Sequence, residues 1–98
     1  MNGRAAEHRI DVLFVVPPQS LLLDVAGPAE AFRLANQHRL ITDREPRFAL
    51  RYCGPQPQAD SSVGLAMAGI ESFPSELAAP TWLVLVGQPS AVLAAPPS

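Results

Sequence analysis

IDVLFVVPPQSLLLDVAGPAEAFRLAN, Ile10 to Asn36, changes rhythm partway along, and that change decides the fold. From Ile10 to Val16 the residues are apolar and often β-branched, the pattern of a strand covered on both faces in a parallel sheet. Pro17-Pro18 stops it, because proline brings no N–H to a ladder. Past Asp24 the apolar residues recur at helical intervals. With about 3.6 residues per turn, Val25, Ala29, Phe32 and Ala35 share one face, while Glu30, Arg33 and Gln37 share the opposite one. This spacing predicts an amphipathic helix over 28–38. Pro28 suits its first turn, where a missing N–H costs nothing. Glu30 in that turn complements the helix dipole, and Arg39 does so at the far end. Asp24 is then placed to cap the helix with its side-chain oxygen.

Downstream, Phe48, Leu50 and Tyr52 alternate with Arg47, Ala49 and Arg51 in strand fashion, and Gly54-Pro55 ends that strand. GPQPQADSSVG, residues 54–64, reads as a loop by composition. Residues 63–70 predict a short edge strand or hairpin. Ser72 to Leu77 carries a helix-start pattern, with Pro74 near the first position and Glu76 just after it. TWLVLV, Thr81 to Val86, is a second wholly apolar strand, and Gly87 terminates it. Residues 1–9 are polar and read as a flexible N-terminus.

Apolar strands separated by a helical crossover make an α/β fold with a mainly parallel sheet and a small β excursion. In such sheets ligands bind outside the carboxyl ends of the strands. Asp24 follows the first apolar strand and Gly87 the last, so both loops are expected at one rim of the sheet.

Composition narrows the function. The 98 residues are 48% hydrophobic with a formal charge of −2, which describes a globular interior with a thin core margin. All seven basic residues are arginines, spread from Arg4 to Arg51 among acids. No basic stripe exists to release counterions from a phosphate backbone, so no direct nucleic-acid contact is expected. The single cysteine excludes an internal disulfide, and no Cys/His pair has metal-ligand spacing; the reading is a reducing, cytoplasmic setting with no cofactor and no metal. The apolar run 12–16 is too short for a secretory core or a membrane span.

LLLDVAGPAEAFRLAN, followed in order by LRYCGP, SSVGLAMA and WLVLVGQP, resembles the ThiJ/PfpI superfamily of class I glutamine amidotransferase-like domains. Within it, the chain looks most like the sensor half of GlxA-type AraC-family transcription regulators. The most specific string is D-x-x-G-P-x-E-x-F with a following alanine and asparagine: Asp24, Gly27, Pro28, Glu30, Phe32, Ala35 and Asn36. The resemblance covers about Ile10 to Gly87. It implies a flavodoxin-like (Rossmann-like) α/β sandwich that this sequence matches in part, with residues 10–98 as the N-terminal portion of the domain. The family's nucleophilic or sensing cysteine, on a strained turn after a later strand, and the regulators' paired helix-turn-helix motifs are not in the sequence.

The resemblance also implies site residues. Asp24 falls where the superfamily places an acid that hydrogen-bonds the cysteine, an aspartate implicated in catalysis in the isonitrile hydratase-like members. Such a role goes with burial beside apolar walls; capping is the simpler reading for this chain. Gly87 matches the first glycine of a Gly-Gly pair whose backbone N–H groups can meet an anion or oxyanion, and Gln88 replaces the second. Asp24, Gly87 and Gln88 are thus the expected ligand-binding residues, with Asp24 catalytic only if a complete parent is an enzyme. Such a parent would be an isonitrile hydratase-like hydro-lyase or a hydrolase. The leading expectation is a non-catalytic sensor for a small molecule, forming a homo-oligomer through the α/β domain. Cys53 ends a strand with no helix after it, so no dipole lowers its pKa, and it reads as a small buried hydrophobe. His8 and His38 have no catalytic partner. Trp82 and Phe32 read as core, and Ser61-Ser62 as turn residues.

Overall fold

The computed structural model describes residues 9–89. The expectations for His8, for the rest of residues 1–8 and for the tail from Ser90 lie outside the described residues. The chain is α/β. In order it forms β1 (Ile10–Val15), α1 (Leu22–Ile41), β2 (Phe48–Cys53), β3 (Gln58–Asp60), β4 (Ala66–Ala68) and β5 (Thr81–Leu85). β1 is the centre of a three-stranded sheet of order β2-β1-β5, parallel to both neighbours. β3 and β4 form a separate antiparallel pair. The large sheet has the first three strands of the flavodoxin-like 2-1-3 order. Among the described residues no helix is long and apolar enough to cross a membrane.

Register sorts the side chains onto two faces, because successive residues of a strand point to opposite sides. One face carries the rows Val12–Leu50–Trp82 and Phe14–Tyr52–Val84; the other carries Leu13–Arg51–Leu83 and Val15–Cys53–Leu85. The first face holds the core. Val12, Phe14 and Val16 are buried, and Val25, Ala29 and Phe32 of α1 pack against them. Phe14 stacks on Tyr52 with ring centroids 5.1 Å apart, and Phe32 tilts against Phe48 at 4.8 Å. Trp82, expected in the core, sits instead at the margin, touching Phe32 and Phe48 and half exposed, because β5 is an edge strand.

α1 is longer than its pattern predicts. It begins at Leu22 and carries Pro28 in its interior, so the amide that would bond the Asp24 carbonyl is missing. An interior proline costs about 3 kcal/mol. Leu22 and Val25, both half-buried, line an apolar crevice next to Val16, and these contacts favour helix on the N-terminal side of the proline. Glu30 consequently lies well past the first turn. Its partner is Arg33, at 2.6 Å, and not the dipole. Arg33 also donates to Gln37, so the expected polar face is a laced, exposed one. His38 and Arg39 fall in the last turn, where positive charge is favourable.

Two further expectations are corrected. The segment read as a loop supplies β3, the first strand of the hairpin, because Ala59 buries into the core cluster and Gln58 and Asp60 face outward. Ser72 to Leu77 forms no helix; Phe73 and Leu77 are exposed, so no apolar contact offsets the ordering entropy that a one-turn helix costs. Gly54 shows how tightly β1 and β2 close at their ends. A Cβ there would come within 3.1 Å of Ile70 Cγ2 and still closer to the Val16 carbonyl oxygen.

Candidate functional site

Parallel strands put the loops after β1 and β5 at the same rim, and the two loops meet. Leu21, the residue just before α1, has no side-chain cap, and its N–H donates instead to the Gly87 carbonyl at 2.8 Å. The Gly87 N–H in turn donates to Asp24 Oδ2 at 3.3 Å. In an ordinary capping box, side chains within one helix end satisfy its orphan N–H groups. Here the turn after β5 takes part in that exchange. Gln88 adds a third tie, its Nε2 donating to the Pro18 carbonyl at 2.7 Å.

This geometry corrects the reading of Asp24 as the N-cap. The carboxylate stands inside the first turn, where the positive end of the dipole favours it, and holds a loop 63 residues away in sequence. Asp24 is exposed, not walled by apolar groups. Glycine suits position 87 by proximity: a Cβ would lie 2.9 Å from Asp24 Oδ2 and 3.4 Å from Leu21 Cδ1, so the Asp24 carboxylate would have to swing aside. Asp24, Gly87 and Gln88 therefore lie together, but the Gly87 N–H is engaged by Asp24 and the Gln88 amide by Pro18. Asp24 Oδ1 makes no hydrogen bond among the described residues.

Cys53 is fully buried, and burial pushes its thiol pKa up, with the charge of Arg51 opposing in part. A thiol held protonated is a poor nucleophile. His38 is exposed at the end of α1. Among the described residues no group of three or more His, Cys, Asp or Glu side chains is placed to hold a metal.

Other residues of the motif string are explained by packing. Asn36 bridges α1 to β2: its Nδ2 donates to the Phe48 carbonyl at 2.8 Å, while its Oδ1 accepts from the N–H groups of Arg47 and Phe48. Phe32 fills the space between Phe48 and Trp82. Ser61 does perform turn chemistry, its Oγ accepting from the N–H groups of Val63 and Leu65.

Sequence reasoning missed Ser20. It is completely buried, donates to the Pro17 carbonyl at 2.5 Å, and accepts from the Ser62 N–H through its own carbonyl. With the Gln19 N–H donating to Asp60, the loop after β1 is thereby pinned to the hairpin as well as to β5. A serine after two prolines carries no pattern that distinguishes this role from an exposed turn. No protein-family model, curated protein or solved structure matches this chain.

Proposed function

We propose that this chain forms the N-terminal part of a ligand-sensing, non-catalytic domain of the ThiJ/PfpI kind, belonging to a cytoplasmic AraC-family transcription regulator. The observation that carries the reading is the tie between Asp24 and Gly87 at the rim where β1 and β5 end. In the order β2-β1-β5 the chain leaves β1 for one neighbour and reaches the other by a separate route, so the carboxyl ends of β1 and β5 flank the topological switch point, where open α/β sheets take ligands. Asp24 Oδ1, without a partner among the described residues, offers that rim a hydrogen-bond acceptor. The motif around Asp24 supports the family, and the open outer face at Leu83 and Leu85, 60% and 77% exposed, suits a sandwich whose second layer comes from further polypeptide.

Cys53 gives this chain no ready thiolate, since it is buried and burial pushes its thiol pKa up. The deciding experiment is to read the gene beyond the codon for Ser98. Paired helix-turn-helix sequences support the reading; a stop after a lone elbow-bearing domain contradicts it. A second reading, an isonitrile hydratase-like hydro-lyase, rests on the same Asp24 oxygen. Turnover by a complete parent that is unchanged in Asp24→Ala removes Asp24 from any mechanism.

A further inference from the structure

The flank of α1 turned toward the hairpin holds a feature that the rim does not use. Val16 just past β1, Leu22 and Val25 on α1, Tyr52 on β2 and Met67 on β4 surround an apolar crevice of about 210 Å³. Close-packed interiors leave few voids larger than a water molecule. An apolar cavity of about 150 Å³ admits benzene, whereas pockets for drug-sized ligands begin at about 300 Å³. The volume therefore accommodates one ring, a fused pair of rings or a branched alkyl group.

The lining also sets polarity. No basic residue borders the crevice, so an anion finds no counter-charge, and the Glu30 carboxylate is near enough to act on the Tyr52 phenol. Tyr52 makes no hydrogen bond to protein among the described residues, which leaves its hydroxyl available as donor or acceptor. Met67 gives the wall a flexible, polarizable member that adapts to ligand shape.

We infer that this crevice binds a small, uncharged, mainly apolar molecule that carries one hydrogen-bonding group for the Tyr52 hydroxyl. Neither Asp24 nor Gly87 lines the crevice, and its test does not depend on the regulator reading. Indole, neutral and with one N–H, is titrated into the ¹⁵N-labelled full chain, with benzoate as an anion of similar size. Expected are saturable amide shifts at Val16, Val25 and Met67 with indole and none with benzoate. Ala26→Leu, a helix-compatible change at the border of the crevice, abolishes the indole shifts. Tyr52→Phe, which keeps the ring, weakens binding by about threefold to tenfold. Equal response to benzoate, shifts confined to the open strand around Leu83, or full binding by Ala26→Leu overturns the inference.

Discussion

β1 and β5 read almost alike in sequence, IDVLFV and TWLVL, yet they meet opposite fates. In β1, Val12, Leu13 and Phe14 are all buried, whereas in β5 Leu83 and Leu85 are exposed. The difference is position. β1 has a hydrogen-bonded neighbour on each side, while β5 has one neighbour and, among the described residues, no strand on its outer edge. An apolar strand in a sequence thus reports a need for burial, and the topology decides whether the need is met. The unmet part at β5 is an uncharged edge strand with apolar side chains, the kind that pairs with other chains.

The comparison breaks most visibly at its centre. Phe14→Ala removes a completely buried ring that stacks on Tyr52 and is expected to cost about 3–5 kcal/mol in urea titration. Leu85→Ala is expected within about 0.5 kcal/mol of the native chain. Similar losses for the two substitutions would mean that β5 is covered as β1 is. Gly54→Ala comes next. Its Cβ meets the Val16 backbone, which cannot swing aside as a side chain would, so a loss of about 1–3 kcal/mol is expected. A neutral result would show that the ends of β1 and β2 are looser than described.

The edge itself is sharpened by charge. The chain is expected to self-associate through β5, and the double substitution Leu83→Lys with Leu85→Lys should shift sedimentation toward monomer while leaving the urea midpoint nearly unchanged. Association that persists in the double variant assigns it to another surface.

The smallest effect is pH-dependent. Burial raises the thiol pKa of Cys53 in the folded state, so its contribution is fully present below the ordinary thiol range. It is lost as pH rises from the unfolded pKa of about 8.5 through the raised folded one, because the unfolded chain gives up that proton first. Tyr52, raised mainly by burial and then by Glu30, acts in the same direction at higher pH. Stability should fall on the alkaline side, and Cys53→Ala should flatten the first part of the fall. A native slope retained in Cys53→Ala would locate the proton release elsewhere.

What was legible in the sequence follows from the range of the interactions. Both apolar strands of the large sheet, the alternating strand around Leu50 and the shared rim of Asp24 and Gly87 came from local periodicity plus the parallel-sheet rule. The start of α1 did not, because Pro28 reads locally as the first turn of a helix, whereas the helix begins well before it, at Leu22, where Leu22 and Val25 make apolar contacts. β3 was hidden by its Pro, Gly and Ser neighbours, and only Ala59 gives it a core contact. The roles of the Asp24 and Asn36 side chains, and of the Ser20 carbonyl, are set by backbone groups distant in sequence: Gly87, Phe48 and Ser62. No window of neighbouring residues contains those partners.

The shared rim is tested most directly at one amide. In ¹H–¹⁵N spectra of the native chain and of Asp24→Ala, the Gly87 amide proton should move upfield and exchange faster with solvent once its acceptor is gone. The Leu21 amide, bonded to the Gly87 carbonyl, should change less. A Gly87 resonance that stays in place, in a spectrum otherwise altered only around residue 24, would mean that Asp24 does not hold the Gly87 turn.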